Sequence, residues 1–459
     1  MRTTYKRGKG VMSNSSNTGG VLRVGVFFDG TANNQYNSES GQARLAQGLT
    51  IDAASSYGSV PTNIALLYQH YPVQPAFEAD GHRVTSLYIS GIGTTTGQAD
   101  TRFPAQTYGR GSTGVVGKAQ EAHARLLHCL LEAVKALPSR ALQRLELDIF
   151  GFSRGAAAAR HFANEVQATR FDTLLELAPG FNCEINFIGL FDTVAAMGGL
   201  VDLGDISDDV NPGLNLYLGP DSARQVVQMS ARDERRRNFA LTRIAPQWPM
   251  DVAVPGAHAD VGGGYAPYML EQVFLTRWET NLVSPGTAPR LTRAWKTTAA
   301  QLPFWQAKDL LDERDPAALL EIRTASHQQG TRRDPLQRVQ AAIYMQRRVD
   351  GHLSRVYLRV MHALAMEHGV PFIPLSDRPE IRLPEELLPI ADKIQAQWSS
   401  GRIALTSEEE RLLRQRYIHQ SANWNAAIGE GLGALDNAFF NLPQEGGRLV
   451  YDQRLPSLA

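Results

Sequence analysis

Gly151-Phe152-Ser153-Arg154-Gly155 stands between an apolar run, Leu145–Phe150, and four alanines, Ala156–Ala159. The run reads as a buried parallel strand and the alanines as the start of a helix. The spacing therefore predicts a serine on the sharp strand-to-helix turn of a nucleophile elbow. Glycines two before and two after the serine let neighbouring backbone pass close on either side. The helix that begins there points its first N–H groups at the place where an oxyanion forms. The chemistry is acyl transfer. A base takes the hydroxyl proton, an acid fixes the tautomer of the base, and N–H donors hold the developing oxyanion.

Asp192 follows the apolar run Ile185–Phe191, and His258 follows Met250–Pro255. Both sit at predicted strand ends, in the chain order Ser, Asp, His that this chemistry uses on an open parallel sheet. Asp260 is a rival acid and His419, in Tyr417-Ile418-His419-Gln420-Ser421, a rival base. The Arg154 N–H is one expected oxyanion donor. The other should come from the loop after the first strand, where Gly30 or Thr31 fits. Asp29 then shapes that loop.

The elements that must position these residues are legible as alternation. Strands are predicted at Val21–Phe28, Val84–Ser90, Leu145–Phe150, Ile185–Phe191 and Met250–Pro255, with helices at Asn63–His70, 118–137 and 222–240. Residues 35–60 read as a surface loop. This pattern predicts an α/β fold of hydrolase type, a mostly parallel sheet covered on both faces. A mainly helical C-terminal region follows. The expected organisation is a disordered segment over 1–20, a catalytic domain over 21–283, and the helical region over 293–459 as lid, membrane or partner contact. The boundary is the Pro/Gly/Thr-rich stretch 284–292. Residues 335–367 read as one helix with Val339, Ile343, Val349, Leu353, Val356, Val360 and Leu364 on a stripe flanked by arginines. It is either a membrane-contacting helix or a packed helix with a basic rim. Ser407 and Glu410 suggest a capping box for a helix over 408–418.

Forty-six Lys+Arg balance forty-six Asp+Glu, so no global charge draws the chain to nucleic acid or to an anionic membrane. Cys129 and Cys183 have neither metal nor redox spacing, which suits synthesis in a reducing cytosol. No apolar run reaches the length of a membrane span, and the basic, polar N-terminus has no signal-peptide core. Gly109-Arg110-Gly111-Ser112-Thr113-Gly114 matches a dinucleotide fingerprint, but no strand runs into it; Gly117-Lys118 lacks the rest of a phosphate loop. Nothing in the Asp29–Asn34 loop argues for calcium. No cofactor and no metal are expected.

Five segments stand in a telling order: Phe27-Phe28-Asp29-Gly30-Thr31-Ala32-Asn33-Asn34, Gly151–Ala156, Asp192-Thr193-Val194, Asp233-Glu234-Arg235 and Pro255–Tyr265 (PGAHADVGGGY). Together they resemble an α/β-hydrolase family, long of unknown function, that includes the lipase effectors of bacterial type VI secretion. Tyr417–Trp424 (YIHQSANW) is similar to a C-terminal motif of those effectors. The resemblance covers about residues 21–265 well, and the C-terminal half is shorter than in the larger effectors. It implies phospholipase activity on bacterial membrane lipids through Ser153, with Asp192 and His258 as acid and base. It also implies antibacterial toxicity, and synthesis in the cytoplasm without a signal peptide. Delivery would be on a spike protein into the target-cell periplasm, with a cognate immunity protein. An esterase or thioesterase acting on soluble acyl esters inside the cell, and a non-catalytic secretion adaptor, are the alternatives.

Overall fold

Alternate residues of the first strand divide between two cores. Leu22, Val24, Val26 and Phe28 join one, and Phe27 joins the other. That period of two is what a strand buried on both faces requires. The computed structural model describes residues 19–50, 55–97, 114–137, 141–177, 179–195, 213–426 and 441–455. Residues 1–18 of the expected disordered segment, and Gly109–Thr113 of the fingerprint-like stretch, lie outside these.

The chain begins with β1 (Gly20–Phe28), α1 (Gln35–Ala46), α2 (Asn63–Gln69), β2 (His82–Ile89), α3 (Val115–Ala136) and β3 (Leu142–Phe152). It continues with α4 (Arg154–Ala168), α5 (Phe171–Leu174), β4 (Asn182–Phe191), β5 (Gln225–Ala231), β6 (Leu241–Thr242), β7 (Asp251–Val254) and α6 (His258–Gly262). Six strands pair in the order β2-β1-β3-β4-β5-β7, parallel throughout. Helices α3 and α4 cover one face. Leu126, Leu130, Ala157 and Phe162 pack there on Leu147, Ile149 and Ile188.

The other face is covered largely from the C-terminal half. Strands β8 (Tyr268–Phe274) and β9 (Glu279–Val283) precede α7 (Arg293–Gln306), β10 (Leu319–Gly330), β11 (Pro335–Asp350) and α8 (Leu353–Glu367). Helices α9 (Leu388–Gln397) and α10 (Ser407–Arg416) and strand β12 (Val450–Tyr451) complete the order. Helix α8 lays Val356, Tyr357, Val360, Met361 and Leu364 against Phe150, Phe187 and Phe191 of the sheet, with α2 and α9 in the same cluster. Each such buried side chain contributes roughly 2 kcal/mol. A second, antiparallel sheet has the order β10-β11-β8, with β9 also on β11. The pairings of β8 and β9 with β11 cross the 284–292 stretch.

Asp148 in the middle of β3 is buried on the α8 side. Arg23 donates to it at 2.8 and 2.9 Å, Asn186 at 2.8 Å and the Tyr71 hydroxyl at 2.7 Å. A carboxylate can sit inside a parallel sheet only with such a full set of partners.

Several local expectations are corrected. Residues 335–350 form a strand, and the helix occupies only 353–367. Val339, Ile343 and Val349 are even numbers apart, so they also share one face of a strand; Gly351 separates the two elements. The whole stripe is buried, so it is core rather than a membrane-facing surface. Residues 225–231, expected as helix, form β5, because the Val-Val-Gln-Met run fills the inside of the sheet. Part of the 35–60 loop is α1, capped by the Asn34 side chain, which accepts from Tyr36 N–H and Asn37 N–H. The capping box of α10 is Thr406 with Glu409 instead of Ser407 with Glu410.

The elbow depends on close backbone approach at Gly155. A Cβ there would lie 2.3 Å from the Asp29 carbonyl oxygen and 2.6 Å from that of Phe28. Gly155→Ala should therefore lower unfolding free energy by about 2 kcal/mol or more, read from denaturant midpoints at unchanged slope.

Candidate active site

Strand β3 hands over to α4 through Ser153, whose backbone sits at φ 61°, ψ −128°. A non-glycine residue held there stores about 1–3 kcal/mol of strain. Neighbouring backbone holds it in place. The Ser153 N–H donates to the Phe191 carbonyl at 3.0 Å, and its carbonyl accepts from Ala156 N–H at 3.0 Å. A Cβ on Gly151 would lie 2.6 Å from Ala156 Cα, so glycine is required on that side as well. Only 4% of Ser153 is exposed.

Asp192 follows the last residue of β4, again at positive φ (46°), and is fully buried. His258 opens α6, the short helix after β7, and presents Nδ1 to Asp192 Oδ2 at 2.5 Å. The imidazole is boxed by two rings, Phe152 at 4.6 Å and Phe239 at 4.8 Å between centroids. Phe152 immediately precedes Ser153 and is packed from three sides. A Cβ on Gly30 would come within 2.5 Å of its ring, and one on Gly262 within 2.0 Å. The elbow, the loop after β1 and α6 therefore converge on one aromatic ring.

The expected oxyanion donors divide. The Gly30 N–H is already donated to Asp29 Oδ1 at 2.7 Å, which corrects its assignment as a donor. Thr31 is the better candidate. Its hydroxyl is buried without a hydrogen-bond partner among the described residues. Arg154 is the first residue of α4, where its N–H precedes the intrahelical ladder. Asp29 shapes the loop. It accepts from Gly30 N–H, from the Thr62 hydroxyl at 2.7 Å and from the Tyr88 hydroxyl at 2.5 Å. Burial pushes its carboxyl up to about 6 against those hydrogen bonds.

The rival acid and the rival base are paired with each other. His419 Nδ1 lies 2.6 Å from Asp260 Oδ1, and His419 N–H donates to Oδ2 at 3.0 Å. The Tyr265 ring stacks on His419 at 3.7 Å, and His419 Nε2 has no partner among the described residues. Asp260 also accepts from Ala257 N–H at 2.9 Å, so this pair clamps α6, with His258 on it, to the Tyr417–Trp424 segment.

Sequence reasoning missed the countercharges. Arg448 donates to Asp192 Oδ1 at 2.7 Å and Oδ2 at 2.8 Å. Glu234 accepts from His258 N–H at 3.2 Å and from the Ser421 hydroxyl at 3.1 Å, and it pairs with Arg236 at 2.8 Å. Asp233-Glu234-Arg235 stood out as a motif, but nothing marked Arg448. Burial raises the Asp192 carboxyl; Arg448 and then His258 outweigh it and hold the group below its ordinary value. Burial pulls the His258 imidazole below its ordinary 6.5, against the opposing influence of Asp192. Among the described residues no group of three or more His, Cys, Asp or Glu side chains is arranged to hold a metal ion.

If the two Asp–His pairs differ in role as this geometry indicates, His258→Ala should cost at least about a thousandfold in kcat/KM. His419→Ala should cost less than about tenfold while lowering the melting temperature. Ester hydrolysis and thermal unfolding measured on both variants check this.

Comparison with known proteins bears on the same residues. Residues 174–279, which include Asp192, Glu234, His258 and Asp260, match the family model of the Tle1-like phospholipase effector catalytic domain of type VI secretion. A solved structure described as the Tle1 effector bound to the VgrG spike of the type VI secretion system aligns at 29% identity. The match covers 98% of both chains with a TM-score of 0.74. An uncharacterized protein from Pseudomonas aeruginosa aligns at 19% identity over 87% of this chain and 53% of that one, with a TM-score of 0.44. No curated protein matches. With the fold shared from end to end and the Asp–His stretch inside the matched catalytic domain, this chain is similar along its length to the type VI secretion phospholipase effectors.

Proposed function

We propose that the chain is a serine phospholipase that cleaves acyl esters of membrane lipids by way of an acyl-enzyme on Ser153. The observation that carries this is a serine at φ 61° on a strand-to-helix turn, packed through Phe152 against a buried Asp192–His258 pair. His258 Nδ1–H, held by Asp192, leaves Nε2 to accept the Ser153 proton as Oγ attacks the ester carbonyl. The N–H groups of Thr31 and Arg154 receive the oxyanion, and the positive end of α4 adds to their field. The imidazolium then gives its proton to the departing alcohol. Water, deprotonated by the same histidine, releases the fatty acid. The aromatic box around His258 keeps bulk water from screening these charges.

The family likeness supports the rest of the reading. The chain would act as an antibacterial effector, ride a secretion spike as the Tle1 relative does with VgrG, meet its lipid in the target-cell periplasm, and be held in check by an immunity protein in the producing cell.

Fatty-acid release from phospholipid vesicles by wild type and by Ser153→Ala is the decisive assay. Wild type should release fatty acid and the variant should lose at least about a thousandfold; equal activity in both would remove Ser153 as nucleophile. Silence in both, with hydrolysis of a short-chain ester by wild type, would move the substrate to soluble esters.

The pH profile follows from the imidazole. Its value lies below 6.5, so the neutral, proton-accepting form persists below pH 6.5. The acid limb of kcat/KM should fall below that pH, with activity level above it.

A further inference from the structure

We propose that Arg448 is a positioning residue of the acyl-transfer reaction: its guanidinium forks onto both oxygens of Asp192 and so sets the angle and proton affinity of His258. This rests on the triad assigned above. The fork is built rather than incidental. Nη1 and Nη2 donate to Oδ1 and Oδ2 at 2.7 and 2.8 Å, while Nε donates to the Phe239 carbonyl at 2.6 Å and Nη1 also reaches the Ala231 carbonyl at 3.1 Å. The side chain is 7% exposed and the carboxylate is fully buried. A paired, planar fork of this kind fixes orientation as well as charge.

The segment that carries Arg448 is itself held beside Asp192. Leu241 N–H donates to the Leu449 carbonyl at 2.9 Å, and Arg243 N–H to that of Tyr451 at 2.8 Å. Thr242 N–H, from the same β6 segment, donates to the carbonyl of Thr193, the residue after Asp192, at 3.0 Å. Asp192 thus has every acceptor direction filled, by Ala231 N–H at 2.8 Å, by Arg448 twice and by His258. With the carboxylate unable to rotate, Nδ1–H of His258 has one place to point, and Nε2 is aimed by default.

The guanidinium also tempers the charge that Asp192 offers the imidazolium. The charged and titratable groups around His258 are Asp192 from the end of β4, Glu234 and Arg236 from the loop after β5, Asp260 on its own helix, and Arg448 behind Asp192. Removing Arg448 leaves three carboxylates around His258, those of Asp192, Glu234 and Asp260, with Arg236 opposing them. The imidazole then holds its proton to higher pH.

The test uses the full chain with Arg448→Met and Arg448→Lys, each assayed per active site counted with a fluorophosphonate that labels Ser153, beside Ser153→Ala. Arg448→Met should lower kcat at least about tenfold with KM within about twofold, and its acid limb should move to higher pH. Arg448→Lys, which keeps the charge but loses the fork, should return the limb close to wild type while kcat stays several-fold down. Should the methionine variant fail to fold, the lysine variant decides alone: lowered kcat at an unmoved limb supports positioning, and wild-type kcat overturns it. Wild-type kcat and limb per labelled serine in Arg448→Met, with only a lower melting temperature, would reduce Arg448 to a structural ion pair. Undiminished hydrolysis by Ser153→Ala would instead sink the triad assignment, whatever the Arg448 variants do.

Discussion

A carboxylate with no access to water must be surrounded by donors, and Asp192 is such a carboxylate. Meeting that demand draws together four distant parts of the chain. The end of β4 supplies the acid, Ala231 an N–H, α6 the histidine, and the last described segment the arginine. Removing one partner from a buried set of this kind leaves an uncompensated charge, typically at a cost of about 3–5 kcal/mol. The site is therefore also a point where the front and back of the chain are tied to each other.

The same device recurs around it. Glu234 with Arg236 and Ser421, and Asp260 with His419, join loops of the hydrolase sheet to the C-terminal half through buried polar contacts, while Glu271 with Arg347 ties β8 to β11 within that half. Arg347 also donates to the carbonyls of Leu310, Arg414 and Ile418, gathering the loop after α7 and the end of α10. Buried ion pairs add little net stability compared with apolar packing, but they tolerate few alternative registers. Here they set the register of the Tyr417–Trp424 segment on α6, and so the height at which His258 stands. The apolar contribution comes from α8 and α9, which close one face of the parallel sheet. The C-terminal half is thus part of the catalytic core's own packing as well as an appendage to it.

Where the sequence was misread, a local pattern had two solutions. Val339, Ile343 and Val349 satisfy the spacing of a helix stripe and of a strand face, and only the pairing of β11 with β8, β9 and β10 chooses between them. Residues 222–240 carry the charge density of a surface helix, yet Val226, Val227 and Met229 fit the sheet interior between β4 and β7, and burial outweighs propensity there. The loop after β1 was legible as a turn. Which of its N–H groups remain available was not, because that depends on where the Asp29 carboxylate points once Thr62 and Tyr88 have reached it.

The sequence by itself determined most of the parallel sheet, the turn at Ser153, and the placing of Asp192 and His258 after two of its strands. These follow from short-range rules: apolar periodicity, the glycines that close approach requires, and polar residues gathering where buried strands stop. Only the tertiary structure decided that Asp192 takes His258 while Asp260 takes His419, and that Arg448 stands behind the acid. A pairing across 256 residues leaves no periodic trace. It is chosen by which buried charges the folded chain brings within hydrogen-bonding distance, where an unpaired one would be too costly to keep.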